Sequence, residues 1–173
     1  GSGLVTLTNG GSFQMNGYGN GGTVSGTCQN SFLVPAGTTG NLLTMANGSA
    51  AGSITVHGTL NLTGSGPSAF VGCNYTSANC FSGSDGQINV AGANLVFSNN
   101  VNNSFGTAAL NLGPGCVLIN NGDPGGPSTV TIGEVSGSGV LSDCNWSGGL
   151  ARVVTYIVGG RNTDATFSGY ITD

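Results

Sequence analysis

Ile54-Thr55-Val56-His57-Gly58-Thr59-Leu60-Asn61-Leu62 reads as two very short strands folded around a glycine. In each half, apolar residues alternate with small polar ones, the two-residue period of a strand with one buried face. Related phrases recur along the chain. Ile88-Asn89-Val90 precedes Leu95-Val96-Phe97, Leu110-Asn111-Leu112 precedes Val117-Leu118-Ile119, and Val130-Thr131-Ile132 precedes Val140-Leu141. Upstream, Val5-Thr6-Leu7 precedes Phe13-Gln14-Met15, and Phe32-Leu33-Val34 precedes Leu42-Leu43-Thr44-Met45. Downstream, Tyr156-Ile157-Val158 precedes Phe167 and Ile171, which makes seven phrases of one repeating coil.

With Val5, Phe32, Ile54, Ile88, Leu110, Val130 and Tyr156 as equivalent anchors, the spacings are 27, 22, 34, 22, 20 and 26 residues. A base period of 20 to 22 residues is that of a β-solenoid, in which each turn stacks its strands on its neighbours in parallel. One turn cannot bury its apolar face alone, whereas a stack makes a continuous core of Ile, Val and Leu, repeating at about 4.8 Å. Gly, Asn and Ser suit the corners because they tolerate sharp and left-handed turns. No stretch carries a helical stripe. The expected fold is all-β, a single-stranded parallel β-helix of about seven coils with loop insertions, forming one module over residues 1–173. A β-sandwich is the competing architecture; it explains short strands but not the recurring anchor, turn and second strand.

Composition narrows the function. Only 5% of the residues are charged, there is no lysine, and the arginines are Arg152 and Arg161. The 34 glycines raise the question of a disordered linker, but 38% of the residues are hydrophobic and evenly spread, whereas disorder goes with low hydrophobicity or high net charge. A net charge of −4 argues against nucleic acid, which needs clustered Lys and Arg, and against an anionic membrane surface. No apolar run approaches the roughly 20 residues of a membrane-spanning helix, and no signal peptide is legible. Gly1-Ser2 resembles a cloning remnant, so a module excised from a larger multimodular protein is expected.

The five cysteines are Cys28, Cys73, Cys80, Cys116 and Cys144. Cys73 and Cys80 flank a short polar loop and are the candidates for a local disulfide; Cys116, in an apolar strand, is the candidate free thiol. Disulfide use implies an oxidising, extracellular setting. One histidine and no CxxC pair make zinc a poor reading.

The long spacings mark insertions, expected on a similar side of the solenoid. The first (16–30) contains Tyr18 and Cys28; the second (64–86) contains Cys73-Asn74-Tyr75, Cys80 and Phe81; the third (142–152) contains Asp143-Cys144-Asn145-Trp146. Phe13, Phe32, Phe97 and Phe167 belong to strand phrases and read as packing residues. Trp146, Tyr75 and Tyr18 instead sit among small polar residues. Exposed rings beside amides and carboxylates are the chemistry of sugar recognition: a pyranose C–H face stacks on the ring while its hydroxyls bond to polar side chains. Trp146, Tyr75, Tyr18, Asn145, Asp143 and Asn74 are therefore the candidate carbohydrate-binding residues. The rival reading has these rings capping loops against the solenoid.

No catalytic residues are assigned. A lyase needs a cationic base that this chain scarcely supplies. Glycoside hydrolysis needs two carboxyls about 5 to 9.5 Å apart; Glu134 and Asp143 are the nearest approach to such a pair, and nothing in their context marks them. His57 reads as a corner or surface histidine without an evident partner. Asn121-Gly122-Asp123 and Asn162-Thr163-Asp164 are turn chemistry first, with calcium as the alternative and no other cofactor or metal expected. Asn47, Asn61, Asn74, Asn102 and Asn145 fit the N-glycosylation pattern at near-chance frequency for so asparagine-rich a chain.

Ala109-Leu110-Asn111-Leu112-Gly113 and, more fully, the stretch Tyr156-Ile157-Val158-Gly159-Gly160-Arg161-Asn162-Thr163-Asp164-Ala165-Thr166-Phe167-Ser168-Gly169 resemble autotransporter-associated β-strand repeats of secreted bacterial proteins. More closely, they resemble the β-helical accessory regions attached to polysaccharide-degrading enzymes of Bacteroidetes-type bacteria. The resemblance implies a secreted or cell-surface, non-catalytic carbohydrate-binding module. Its expected ligand is a plant cell-wall polysaccharide, xylan or a related β-1,4-linked hemicellulose. It also implies a monomer covalently joined to a catalytic domain. A structural β-helix stalk or adhesin segment is the alternative; the cysteine-bearing insertions depart from the plainer repeats and weigh against a simple spacer.

Overall fold

The computed structural model describes residues 3–15, 27–28, 30–44, 49–50, 52–64, 70–72, 81–92, 94–98, 103–121, 128–142 and 153–172. In chain order the strands are β1 (Leu4–Thr6), β2 (Gly11–Met15), β3 (Thr27–Cys28), β4 (Ser31–Val34), β5 (Thr39–Thr44) and β6 (Ser49–Ala50). Next come β7 (Ile54–Val56), β8 (Thr59–Gly64), β9 (Phe70–Gly72), β10 (Gln87–Ala91), β11 (Asn94–Ser98), β12 (Asn103–Ser104) and β13 (Ala109–Leu112). The last are β14 (Val117–Asn121), β15 (Ser128–Ile132), β16 (Glu134–Gly137), β17 (Val140–Ser142), β18 (Val154–Val158) and β19 (Tyr170–Thr172).

The ladders between these strands are parallel. The chain therefore winds in one sense and lays each turn on the last, as a β-solenoid. Its longest sheet runs β2-β5-β8-β10-β13-β16, one strand per turn, and a lone bridge between Gly137 and Phe167 extends it. A second wall runs β9-β11-β14-β17-β19, with the pair β3-β6 leading into it where β6 lies against β9. The third wall comprises β1-β4-β7 and β12-β15-β18. The coil number read from the sequence differs from this arrangement only in detail.

The alternation seen in the sequence sets the two faces of each wall. In β8, Leu60 and Leu62 are buried while Thr59, Asn61 and Thr63 are half-buried on the outside; in β10, Ile88 and Val90 are buried while Gln87 and Asn89 are half-buried. Ile88 stacks on Leu60 and Leu110 on Ile88, while Leu62, Val90 and Leu112 form the neighbouring inward row. Each such side chain contributes roughly 1.5–3 kcal/mol by leaving water, so the stack, not any single turn, carries the stability.

The register corrects the anchors. Val5, Phe32 and Ile54 are equivalent, as are Val130 and Tyr156. Ile88 and Leu110 instead align with Leu60, on the next wall. The two strands of a turn share one apolar alternation, so phrase matching alone slid those turns by one wall.

Among the described residues the third wall has no strand between β7 and β12, and residues 81–84 form a turn there. Ser84 repairs the ladder there: its Oγ accepts from Val56 N–H at 3.0 Å and donates to Ile54 O at 3.3 Å, in a buried setting. Ser84→Ala leaves that buried donor and acceptor unmatched, and is expected to cost about 1–3 kcal/mol. Urea unfolding of the variant would measure it; an unchanged midpoint would show that the side-chain bridge contributes nothing.

Gly113-Pro114-Gly115-Cys116 illustrates a corner: Cys116 N–H donates to Gly113 O at 3.1 Å. Pro fits the second position of such a turn, and Gly115, at φ +74, fits the third. Cys116 itself is buried and free, and its Sγ donates to Val90 O at 3.5 Å.

Candidate functional site

The strongest arrangement of polar side chains lies on the outer face of the longest sheet. Asn41, Asn61, Asn89 and Asn111 occupy one register position on β5, β8, β10 and β13. Each is flanked by buried inward residues, so each carboxamide points outward. Asn61 Nδ2 donates to Asn41 Oδ1 at 3.0 Å, and Asn89 Nδ2 donates to Asn61 Oδ1 at 3.0 Å. The row is tied at one end by Asn41 Nδ2, which donates to Gly10 O at 2.7 Å, and higher up by Gln87 Nε2, which donates to Asn89 Oδ1 at 3.1 Å. Beyond Asn111 the register position passes to Ser136, and at the neighbouring Gly137 an added Cβ would lie 2.6 Å from Asn111 Oδ1.

A carboxamide offers two N–H donors and two lone pairs. Asn61 uses one donor and one lone pair within the row, and the other pair of sites projects from the sheet. The result is an uncharged strip of amides repeating at about 4.8 Å, flanked by Thr39, Thr59 and Gln87 on one side and by Leu43, Thr63 and Ala91 on the other. Such a strip donates and accepts hydrogen bonds at every step without attracting counter-ions.

Charge gathers instead along the corner that leads into this sheet. His57 Nδ1 lies 2.7 Å from Asp85 Oδ1, both side chains being exposed. Their Cα atoms belong to successive turns, since His57 N–H and Gly58 N–H donate to Val34 O while Asp85 N–H and Gly86 N–H donate to Val56 O. His57 is thus the exposed corner histidine expected, but it has a carboxylate partner that the sequence reading did not supply. So exposed a pair contributes little to stability. Arg161 Nη1 donates to Asp85 O at 2.9 Å and to Gly86 O at 2.8 Å, laying its guanidinium along the same corner. Farther up, Thr163 Oγ1 donates to Glu134 Oε2. Asn162 takes a left-handed conformation at φ +56 and donates its N–H to Gly159 O, which is turn chemistry as read.

The candidate sugar-binding residues Tyr18, Asn74, Tyr75, Asp143, Asn145 and Trp146, and the disulfide candidates Cys73 and Cys80, lie outside the described residues. So do Asp123 and Cys144. The strands beside them fix where the chain leaves and returns. The segment with Tyr75 leaves from β9 and the one with Trp146 from β17, two strands of one wall, and both return to the third wall. The strand before the segment with Tyr18 is β2, on the longest sheet. Phe81, read as part of the second insertion, belongs to the core: it is fully buried and stacks on Phe105. Phe32 is likewise buried, with Phe13 packed edge-on against it at 5.1 Å.

The amide row was missed by the sequence reading, although its signal was present. Leu60-Asn61-Leu62, Ile88-Asn89-Val90 and Leu110-Asn111-Leu112 each place Asn between two inward apolar residues. Aligned on the asparagine rather than on the first apolar residue, they give the true register. Comparison of the chain with protein-family models, with curated proteins and with solved structures gives no match.

Proposed function

We propose that the chain is a non-catalytic carbohydrate-binding module, acting outside the cell on a plant cell-wall polysaccharide such as xylan or another β-1,4-linked hemicellulose. The observation that carries this reading is the outward amide row Asn41, Asn61, Asn89 and Asn111, held in register on one parallel sheet. A neutral glycan presents hydroxyls, donor and acceptor at once, along a chain whose sugar unit is close in length to the strand spacing of about 4.8 Å. Amides match that chemistry, and the row's neutrality suits a neutral ligand. Trp146 and Tyr75 are assigned as stacking platforms, with Asn74, Asp143, Asn145 and Tyr18 as further polar and aromatic contacts.

A structural stalk is the second reading. It is favoured by the bonds that the amides make to one another, since a ladder of this kind stiffens the sheet whether or not anything binds to it.

Calorimetry or affinity electrophoresis against xylan, glucomannan and cellulose separates the two. Binding is expected, and it is expected to weaken at least about tenfold, or roughly 1.4 kcal/mol, in Asn89→Ala with the fold retained. A folded protein that binds none of these glycans overturns the module reading. If Trp146→Ala and Tyr75→Ala abolish binding while Asn89→Ala leaves it intact, the insertions rather than the sheet hold the sugar.

A further inference from the structure

The chain has no lysine, two arginines and one histidine. Two of these three basic side chains, His57 and Arg161, meet at one place, the corner formed by Asp85 and Gly86. Residues 57, 85 and 161 are far apart in sequence, and the stacking of turns brings them together. Asp85 gives its carboxylate to His57, Oδ1 lying 2.7 Å from Nδ1. Arg161 meets the backbone instead, its Nη1 donating to Asp85 O at 2.9 Å and to Gly86 O at 2.8 Å. Among the described residues His57–Asp85 is the one ion pair, so the charge of Arg161 is not matched by a carboxylate at salt-bridge distance. Farther up the corner, the Glu134 carboxylate accepts from Thr163 Oγ1.

A guanidinium offers five N–H donors in a planar fork that fits a carboxylate with two parallel bonds. Nη1 on two carbonyls fixes the half-buried Arg161 side chain. Among the described residues its Nε and Nη2 make no hydrogen bond. The corner opens onto the amide strip: Gly86 leads into β10, whose Gln87 Nε2 donates to Asn89 Oδ1. Gly86 and Asn89 are three residues apart, about 10 Å along a strand. A carboxylate on a glycan main chain lying over the asparagines would fall short of Arg161. One carried by a sugar that branches from that chain covers most of the distance, a sugar unit being close to the strand spacing of about 4.8 Å.

We propose that this corner is a second subsite, in which Arg161 takes the carboxylate of an acidic sugar, a uronate, branching from a neutral glycan bound along the amide row. The proposal rests on the glycan-binding reading and adds the class of branch, which the uncharged strip does not discriminate. Arg161 Nε and Nη2 donate to the two carboxylate oxygens. His57 supports the site by holding the Asp85 carboxylate, the rival anion at this corner. The net charge of −4 repels an acidic ligand from the chain as a whole, so a preference for one reports a local site.

Calorimetry with a uronate-branched xylan, and with the same xylan after reduction of its carboxyl groups to alcohols, tests it. At so exposed a corner the unreduced glycan is expected to bind about three- to tenfold more tightly. The difference is expected to vanish at about 1 M salt, where the screening length is about 3 Å. Arg161→Gln keeps a donor for the backbone oxygens; it is expected to lose the preference while binding the reduced glycan as the unaltered chain does. His57→Ala is expected to narrow the preference and Asp85→Asn to widen it, whereas a merely structural role would change binding of both glycans alike. Should Arg161→Gln fail to fold, NMR of the unaltered chain replaces it. Glucuronate is then expected to shift the Arg161 Nε–H signal, with glucose leaving it in place. An equal shift with inorganic sulfate would mean attraction to any anion and overturns the uronate assignment. Equal affinity for the two xylans, or a preference that survives in Arg161→Gln, overturns the proposal and leaves glycan binding standing. Failure to bind either xylan overturns both.

Discussion

Gly58→Ala is expected to destabilise the protein by about 3 kcal/mol or more, at the upper limit of what overpacking ordinarily costs. Gly58 turns the chain between β7 and β8, where a Cβ would fall on the carbonyl oxygens of Thr38 and Pro35. Neither oxygen is free to retreat: Thr38 O accepts from Thr59 N–H, and Pro35 O accepts from both the N–H and the Oγ1 of Thr38. The constraint is repeated up the corner, because a Cβ at Gly86 would meet Gly58 O, which Gln87 N–H already occupies, and one at Gly133 would meet Thr107 O. A shift made to accommodate one methyl therefore disturbs the bonds of the next turn. Thermal unfolding should show a fall in Tm of about 6–12 °C at this size of protein. Gly37→Ala is the control: Gly37 has φ +72 but open space around it, so only the left-handed backbone penalty of about 1–2 kcal/mol applies. Equal melting temperatures for the two variants would refute the steric account.

The same corner explains what could be read from the sequence and what could not. Alternation in Ile54–Leu62 is local, and local alternation is enough to identify short strands around a glycine and to require that turns be stacked. Which strand stacks on which is a long-range property. Ile54 and Leu60 are both inward apolar residues of the same turn, so a phrase such as Ile88-Asn89-Val90 matches either. The asparagine breaks the tie, because only one wall aligns Asn with Asn; a row bonded amide to amide tolerates a one-wall slip poorly. The His57–Asp85 pair was hidden for the same reason: 28 residues separate the two, and their meeting depends on the length of the insertion between them. Phe81 was hidden by its setting beside Cys80, in a stretch whose polar residues suggested a surface loop.

Register also gives the amide row its consequence for function. A ligand strip on loops would be set by each loop separately, whereas Asn41, Asn61, Asn89 and Asn111 are placed by the backbone ladder itself. Sites built on regular elements hold their geometry more closely than sites built on loops. Loss of a buried core residue should therefore reach the outer face through the strand that it supports, even though no core side chain touches a ligand there.

Phe105→Ala is the sharpest form of that expectation. At the turn 81–84, Phe81 packs on Phe105 as a stacked pair, centroids 5.2 Å apart and planes 25° from parallel. Both are fully buried. Phe105 N–H also donates to Thr131 O, and Ala108 N–H to Phe105 O, so its backbone is held and cannot collapse far into a cavity. Truncation is expected to cost about 3–5 kcal/mol, lowering Tm by roughly 6–20 °C. Phe81→Ala should cost a similar amount, and the double variant less than the two combined, because the ring pair is worth about 0.5–1.5 kcal/mol beyond its burial. Ser84, in the same turn, bridges Ile54 and Val56 and so carries the disturbance toward β7 and the corner at Gly58. Urea unfolding of the two single variants and the double variant measures all three terms. Strict additivity would mean that the rings fill separate spaces, and a Phe105→Ala midpoint no lower than that of the exposed Val153→Ala would mean that the turn is supported by something other than this pair.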